Sequence, residues 1–112
     1  MNIEETNKML IKAARAGDLD KAKEAIKHGA NEFNYALRLS AIYKHPEIME
    51  ILIKHGADNF NGALYGAAIY GHPEIVESLI KHGANNFYGA LIWAEEYGNT
   101  EIVEILKQKI KE

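Results

Sequence analysis

Three observations predict an all-α fold, an α-solenoid of four helix-turn-helix repeats. The first is a period: shifted by 27 positions, His28–Lys54 matches His55–Lys81 at 18 positions, and His55–Lys81 matches His82–Gln108 at 16. A fixed period of about 20–50 residues is the mark of a solenoid. The second is that each unit contains two short helical patterns separated by a turn, with apolar residues at i, i+3 and i+4. The third is that the terminal copies carry charged residues where the inner copies are apolar, as the exposed ends of a stacked array require. The chain is therefore read as one repeat domain over residues 1–112. Residues 1–27 form an N-terminal capping repeat, 28–54 and 55–81 two inner repeats, and 82–112 a C-terminal capping repeat.

The first unit is the most diverged and is recognised by Ala13, Ala14, Gly17, Ile26, His28 and Gly29. In the second unit, Asn34 is placed to cap a helix that holds Ala36, Leu37, Ser40 and Ala41 on one side. Lys44 and His45 break that helix. Pro46 then opens the next one, where a missing N–H costs nothing, and Glu47 favours the positive end of its dipole. Ile48, Ile51, Leu52 and Ile53 give this helix its apolar face, and Gly56 stops it. The following loop, GADNFN, recurs as GANEFN and GANNFY, so Phe33, Phe60 and Phe87 share one position and are expected to form a ladder of rings. At the ends, Ile48 and Ile51 become Lys21 and Glu24 in the first unit. Ile53 and Ile80 become Lys107 in the last, and Ala41 and Ala68 become Glu95. Capping of this kind predicts a complete, monomer-capable array.

A formal charge of -3, from 13 basic and 16 acidic residues, exerts no long-range pull on phosphate backbones or anionic membranes. Neither nucleic acid nor membrane is an expected partner. Cysteine is absent, which suits a reducing compartment. No apolar run of about 18 residues could span a bilayer, and the N-terminus has no signal pattern. A cytoplasmic protein is expected.

Chemistry finds little support. His28, His55 and His82 recur at one position, and His45 and His72 at another, but a metal site needs three or four converging ligands. The first row is read as partners of helix C-termini and the second as turn hydrogen bonds, with some acid sensitivity if His45 and His72 donate as neutral rings. Ser40 and Ser78 lie inside helical patterns with no base spaced to activate them. No enzyme activity, cofactor, metal or catalytic residue is expected. Lys44 stands where the other units have Gly17, Gly71 and Gly98, so a positive φ there would strain it.

The run GHPEIVESLIKHGAD resembles the second helix and following turn of an ankyrin repeat, and LYGAAIYGH resembles its first helix. ARAGDLDKAKEAIKHGA is similar to the amino-terminal unit of ankyrin arrays. The family's usual period is about 33 residues, so each unit here lacks the stretch that projects a β-hairpin. The Thr-Pro-Leu-His opening is also replaced, by Tyr35-Ala36-Leu37-Arg38, Gly62-Ala63-Leu64-Tyr65 and Gly89-Ala90-Leu91-Ile92.

The resemblance implies that the variable side of the first helices is a concave surface that binds a protein or peptide. That side carries Lys8, Ile11, Lys12 and Arg15, then Tyr35, Arg38, Leu39, Ile42 and Tyr43. Tyr65, Ile69 and Tyr70 follow, then Ile92, Trp93, Glu96 and Tyr97. Its mixture of tyrosine, isoleucine and tryptophan, basic at one end and acidic at the other, has the make-up of an interface. Gly62, Gly66 and Gly89 form its groove floor. The groove is either open, or filled by Trp93 folding over Gly66 and Tyr35 over Gly62. The expected function is a non-catalytic interaction module. The alternatives are a designed or consensus scaffold without a natural partner, and a monomer that forms a dimer through the concave face.

Overall fold

The computed structural model describes residues 1–112 and is wholly helical. Its elements are α1 (Ile3–Ala16), α2 (Leu19–Lys27), α3 (Phe33–Ile42), α4 (Pro46–Lys54), α5 (Phe60–Tyr70), α6 (Pro73–His82), α7 (Phe87–Glu96) and α8 (Thr100–Lys111). Consecutive pairs make the four helix-turn-helix units. Local chemistry sets most boundaries. Asn2 and Glu5 form a reciprocal capping box on α1, Asp18 accepts from the Lys21 amide at 3.1 Å, and Pro46 and Pro73 open α4 and α6. No helix is long and apolar enough to cross a membrane.

The core repeats one position at a time. Leu37 and Leu64, then Ile48, Ile75 and Ile102, then Leu52, Leu79 and Leu106 are all fully buried between the helix layers. Each such side chain contributes about 1.5–3 kcal/mol by leaving water. Alanines at 36, 63 and 90 keep the helices close, and buried Ser40 donates to the Leu37 carbonyl at 2.8 Å. The first helices pack extensively on one another along the array, whereas the second helices touch their neighbours lightly. The first-helix row therefore lies on the inner side of the curve.

Asn34 does not cap α3. It lies inside that helix, and its Oδ1 accepts from the amides of Asp58 and Asn59 in the next loop, at 2.8 and 3.0 Å. Asn7 does the same for Asn31 and Glu32, and Asn61 for Asn85 and Asn86. The caps of α5 and α7 are Asn59 and Asn86, which accept from Gly62 and Gly89. The phenyl rings also pair differently from the expected ladder. Phe33 lies 6.1 Å from His55 and Phe60 5.9 Å from His82, between ring centroids. The imidazole at the end of the same unit's second helix is nearer than the next phenyl, about 10 Å away at helix-packing distance.

The two histidine rows have separate tasks. His55 Nδ1 bonds the Ile51 carbonyl in its own last turn. His45 and His72 do not bond within their turns: Nε2–H reaches the carbonyls of Arg15 and Ile42 in the preceding unit, at 3.1 and 2.8 Å. Asn99 takes that place in the last unit, bonding the Ala68 and Ile69 carbonyls.

Candidate binding face

The inner row of first helices presents the sequence-derived face. Tyr43, Tyr70 and Tyr97, one repeat apart, are 47%, 58% and 55% exposed, because each sits at or just past the last turn, beyond the reach of the next helix. Tyr35, Arg38, Ile92 and Trp93 are also exposed, and Ile42, Tyr65 and Ile69 half-buried. Trp93 and Tyr97, four residues apart on α7, approach with centroids 6.2 Å apart and planes tilted by 41°. Leu39 is the exception: at 7% exposure it belongs to the core and offers no surface to a ligand.

The three glycines do not form a continuous open floor. A Cβ on Gly66 would stand 2.8 Å from Ile42 Cγ1, so the close approach of α3 to α5 fills that space. Tyr65 lies over Gly89, with its hydroxyl on the Asn86 side chain, and the cap of α5, Asn59, crowds Gly62. The residues nearest the three glycines are thus Ile42, Tyr65 and Asn59, rather than Trp93 at Gly66 and Tyr35 at Gly62. Contacts between neighbouring first helices, and from a first helix to the next loop, join residues about 24 positions apart rather than 27, because neighbouring units are staggered.

Residues 32–62 match the family profile described as ankyrin repeat, and residues 59–112 the one described as ankyrin repeats (3 copies). Together the matches run from Glu32 to the last residue, through three of the four helix pairs. The chain belongs to the ankyrin repeat family. A comparison with curated proteins finds no match. Short loops join the units of this ankyrin array, and no strand is present between them.

Charge along the ankyrin face is uneven. Lys8, Lys12 and Arg15 lie on α1 and Glu95 and Glu96 on α7, all exposed. No three His, Cys, Asp or Glu side chains are grouped to hold a metal ion. Residues that position the face without belonging to it are Asn7, Asn34 and Asn61, whose bonds fix one first helix against the next loop. Their signal in the sequence is the recurrence of asparagine at the full 27-residue period, just after Phe33 and Phe60 in the two inner units.

Proposed function

We propose that this ankyrin array is a non-catalytic module that binds a protein or peptide along its concave first-helix face. The observation that carries the reading is the exposed row Tyr43, Tyr70 and Tyr97, with Trp93 packed beside its last member. Rigid aromatic side chains supply large contact area at small entropic cost, and they dominate binding energy where they are found. Arg38 and Ile92 flank the row, Ile42, Tyr65 and Ile69 supply its half-buried base, and Tyr35 extends it toward α1. The basic N-terminal and acidic C-terminal ends of the face fix the direction in which a charged ligand lies.

A peptide-display selection against the intact chain tests this. Enriched sequences are expected to bind with an affinity that Tyr70→Ala or Trp93→Ala lowers at least about tenfold, which corresponds to about 1.4 kcal/mol by titration calorimetry. Enrichment no better than on a chain carrying serine at positions 43, 70 and 97 would sink the proposal.

A further inference from the structure

The two ends of the array carry opposite halves of the contact that joins its internal units. Inside the chain that contact has a fixed register. Ile42 meets Gly66 and Tyr65 meets Gly89, each 24 residues later. Ile26 and Ile51 line one basin between α2 and α4, and Glu50 pairs with His82 at 3.2 Å. We propose that the C-terminal end of the array binds the N-terminal end of a second copy of this chain, which takes the place of a fifth repeat.

Continuing the period sets residue 1 of the second copy at position 109, and the internal contacts then name the pairs across the junction. Where Ile42 meets Gly66, Glu96 meets Lys12 of the second copy. Where Ile26 meets Ile51, Lys107 meets Glu24. Where Glu50 meets His82, Glu104 meets His28. In each case a carboxylate faces a basic side chain, although internal copies of two of these contacts are apolar. The charges that close the ends against disordered association are thus complementary in one arrangement.

Shape points the same way. On the outer side of α7, Tyr88 and Ile92 are 69% and 65% exposed. Tyr88 occupies the position of the inter-unit asparagines Asn34 and Asn61, and Ile92 the position from which Tyr65 covers Gly89. At the other end, α1 and the start of α2 border an open basin of about 580 Å³ with Met9, Ala13 and Ala16 on its floor and Lys8, Lys12 and Lys21 around it. Glu5 and Asp18 are its acidic members. The basin lies where a preceding unit would pack, so Ile92 enters over Met9 and the Lys8 stem.

Two positions oppose the fit: Glu95 takes the place of Ala41 and Ala68, which are buried inside the array, so its carboxylate loses water on association, and Asp18 takes the place of a donor. His45, His72 and Asn99 each donate to carbonyls at the end of the preceding first helix. Asp18 stands at the same place in the first unit, and its carboxylate has no proton to give to the Glu95 and Glu96 carbonyls. The junction between chains is therefore weaker than the junctions within one, and the contact is heterologous and open-ended.

Sedimentation of the full chain in low salt, from about 10 to about 500 µM, reads the outcome. Average mass is expected to rise with concentration without stopping at a dimer, and to fall as salt is added. Lys107→Glu and Glu24→Lys each weaken association about tenfold, and an equimolar mixture of the two restores it, since every junction in the mixture can again pair opposite charges. Asp18→Asn, which keeps a helix cap, strengthens it. Circular dichroism confirms that each variant folds. A chain that stays monomeric even with Asp18→Asn overturns the proposal. So does a closed dimer indifferent to both charge reversals, which would assign association to the concave face instead.

Discussion

Lys44 sits in the turn between α3 and α4 with φ 62°, where Gly17, Gly71 and Gly98 take φ values of 82°, 80° and 70°. A side chain there crowds the following carbonyl, at a cost of about 1–2 kcal/mol. Lys44 recovers part of that through Glu74, 3.2 Å away, but both groups are exposed and such solvent-screened pairs contribute little. The Glu74 carboxyl is held below the ordinary glutamate range, first by its own backbone N–H at the start of α6 and then by Lys44. Its ionised form is thus favoured by folding. That contribution is present above the ordinary range and disappears as pH falls through the lowered value. At neutral pH the backbone cost exceeds the pair, even after the larger entropy that glycine loses on folding. Lys44→Gly is therefore expected to raise the melting temperature by about 2–5 °C. Thermal unfolding in a Glu74→Gln background separates the two effects; an unchanged or lower value there would mean that the turn is not strained.

Helix α5 carries glycine at 62 and 66, and replacing an interior helix glycine with alanine ordinarily stabilises by up to about 1 kcal/mol. Gly66 reverses that expectation, because Ile42 Cγ1 stands 2.8 Å from the new methyl and is fixed close to its own backbone. Gly66→Ala is expected to destabilise by about 1 kcal/mol, with Gly66→Ala in an Ile42→Ala chain regaining the helix benefit. A denaturant-based double-mutant cycle that gives additive changes would show that the helices do not meet there. The contrast explains what was legible from sequence. Helix pairs, the prolines, the turn glycines and Lys44 are local backbone demands, and each lies in the few residues that state it. Asn34 was misread because a cap and a cross-repeat clamp both need one asparagine near a helix start, and the partner that separates them is 24 residues away. Leu39 and the glycine floor were misplaced for the same reason: the 27-residue alignment tells which residues are equivalent, while the stagger of neighbouring helices decides which ones touch.

Across the whole molecule, units touch chiefly their neighbours, so stability is close to a sum of unit and junction contributions. Asn61 ties α5 to the loop before α7 through two backbone amides. Asn61→Ala removes about 1 kcal/mol per bond, and the loss should stay local. Amide exchange in α7 and α8 is expected to accelerate about tenfold or more while α1–α4 change little; uniform acceleration would show that the array opens as one cooperative block. The uneven packing of the two helix rows has a mechanical consequence. The inner row is close-packed and pinned at its loop edge by Asn7, Asn34 and Asn61, while the outer row meets lightly. Such a body flexes like a leaf spring: the pinned edge keeps its length, and strain is taken up by opening or closing gaps on the outside. Tyr43, Tyr70 and Tyr97 stand on the inner row, so bending changes their spacing least, and the proposed binding face keeps its pitch while the outer side moves.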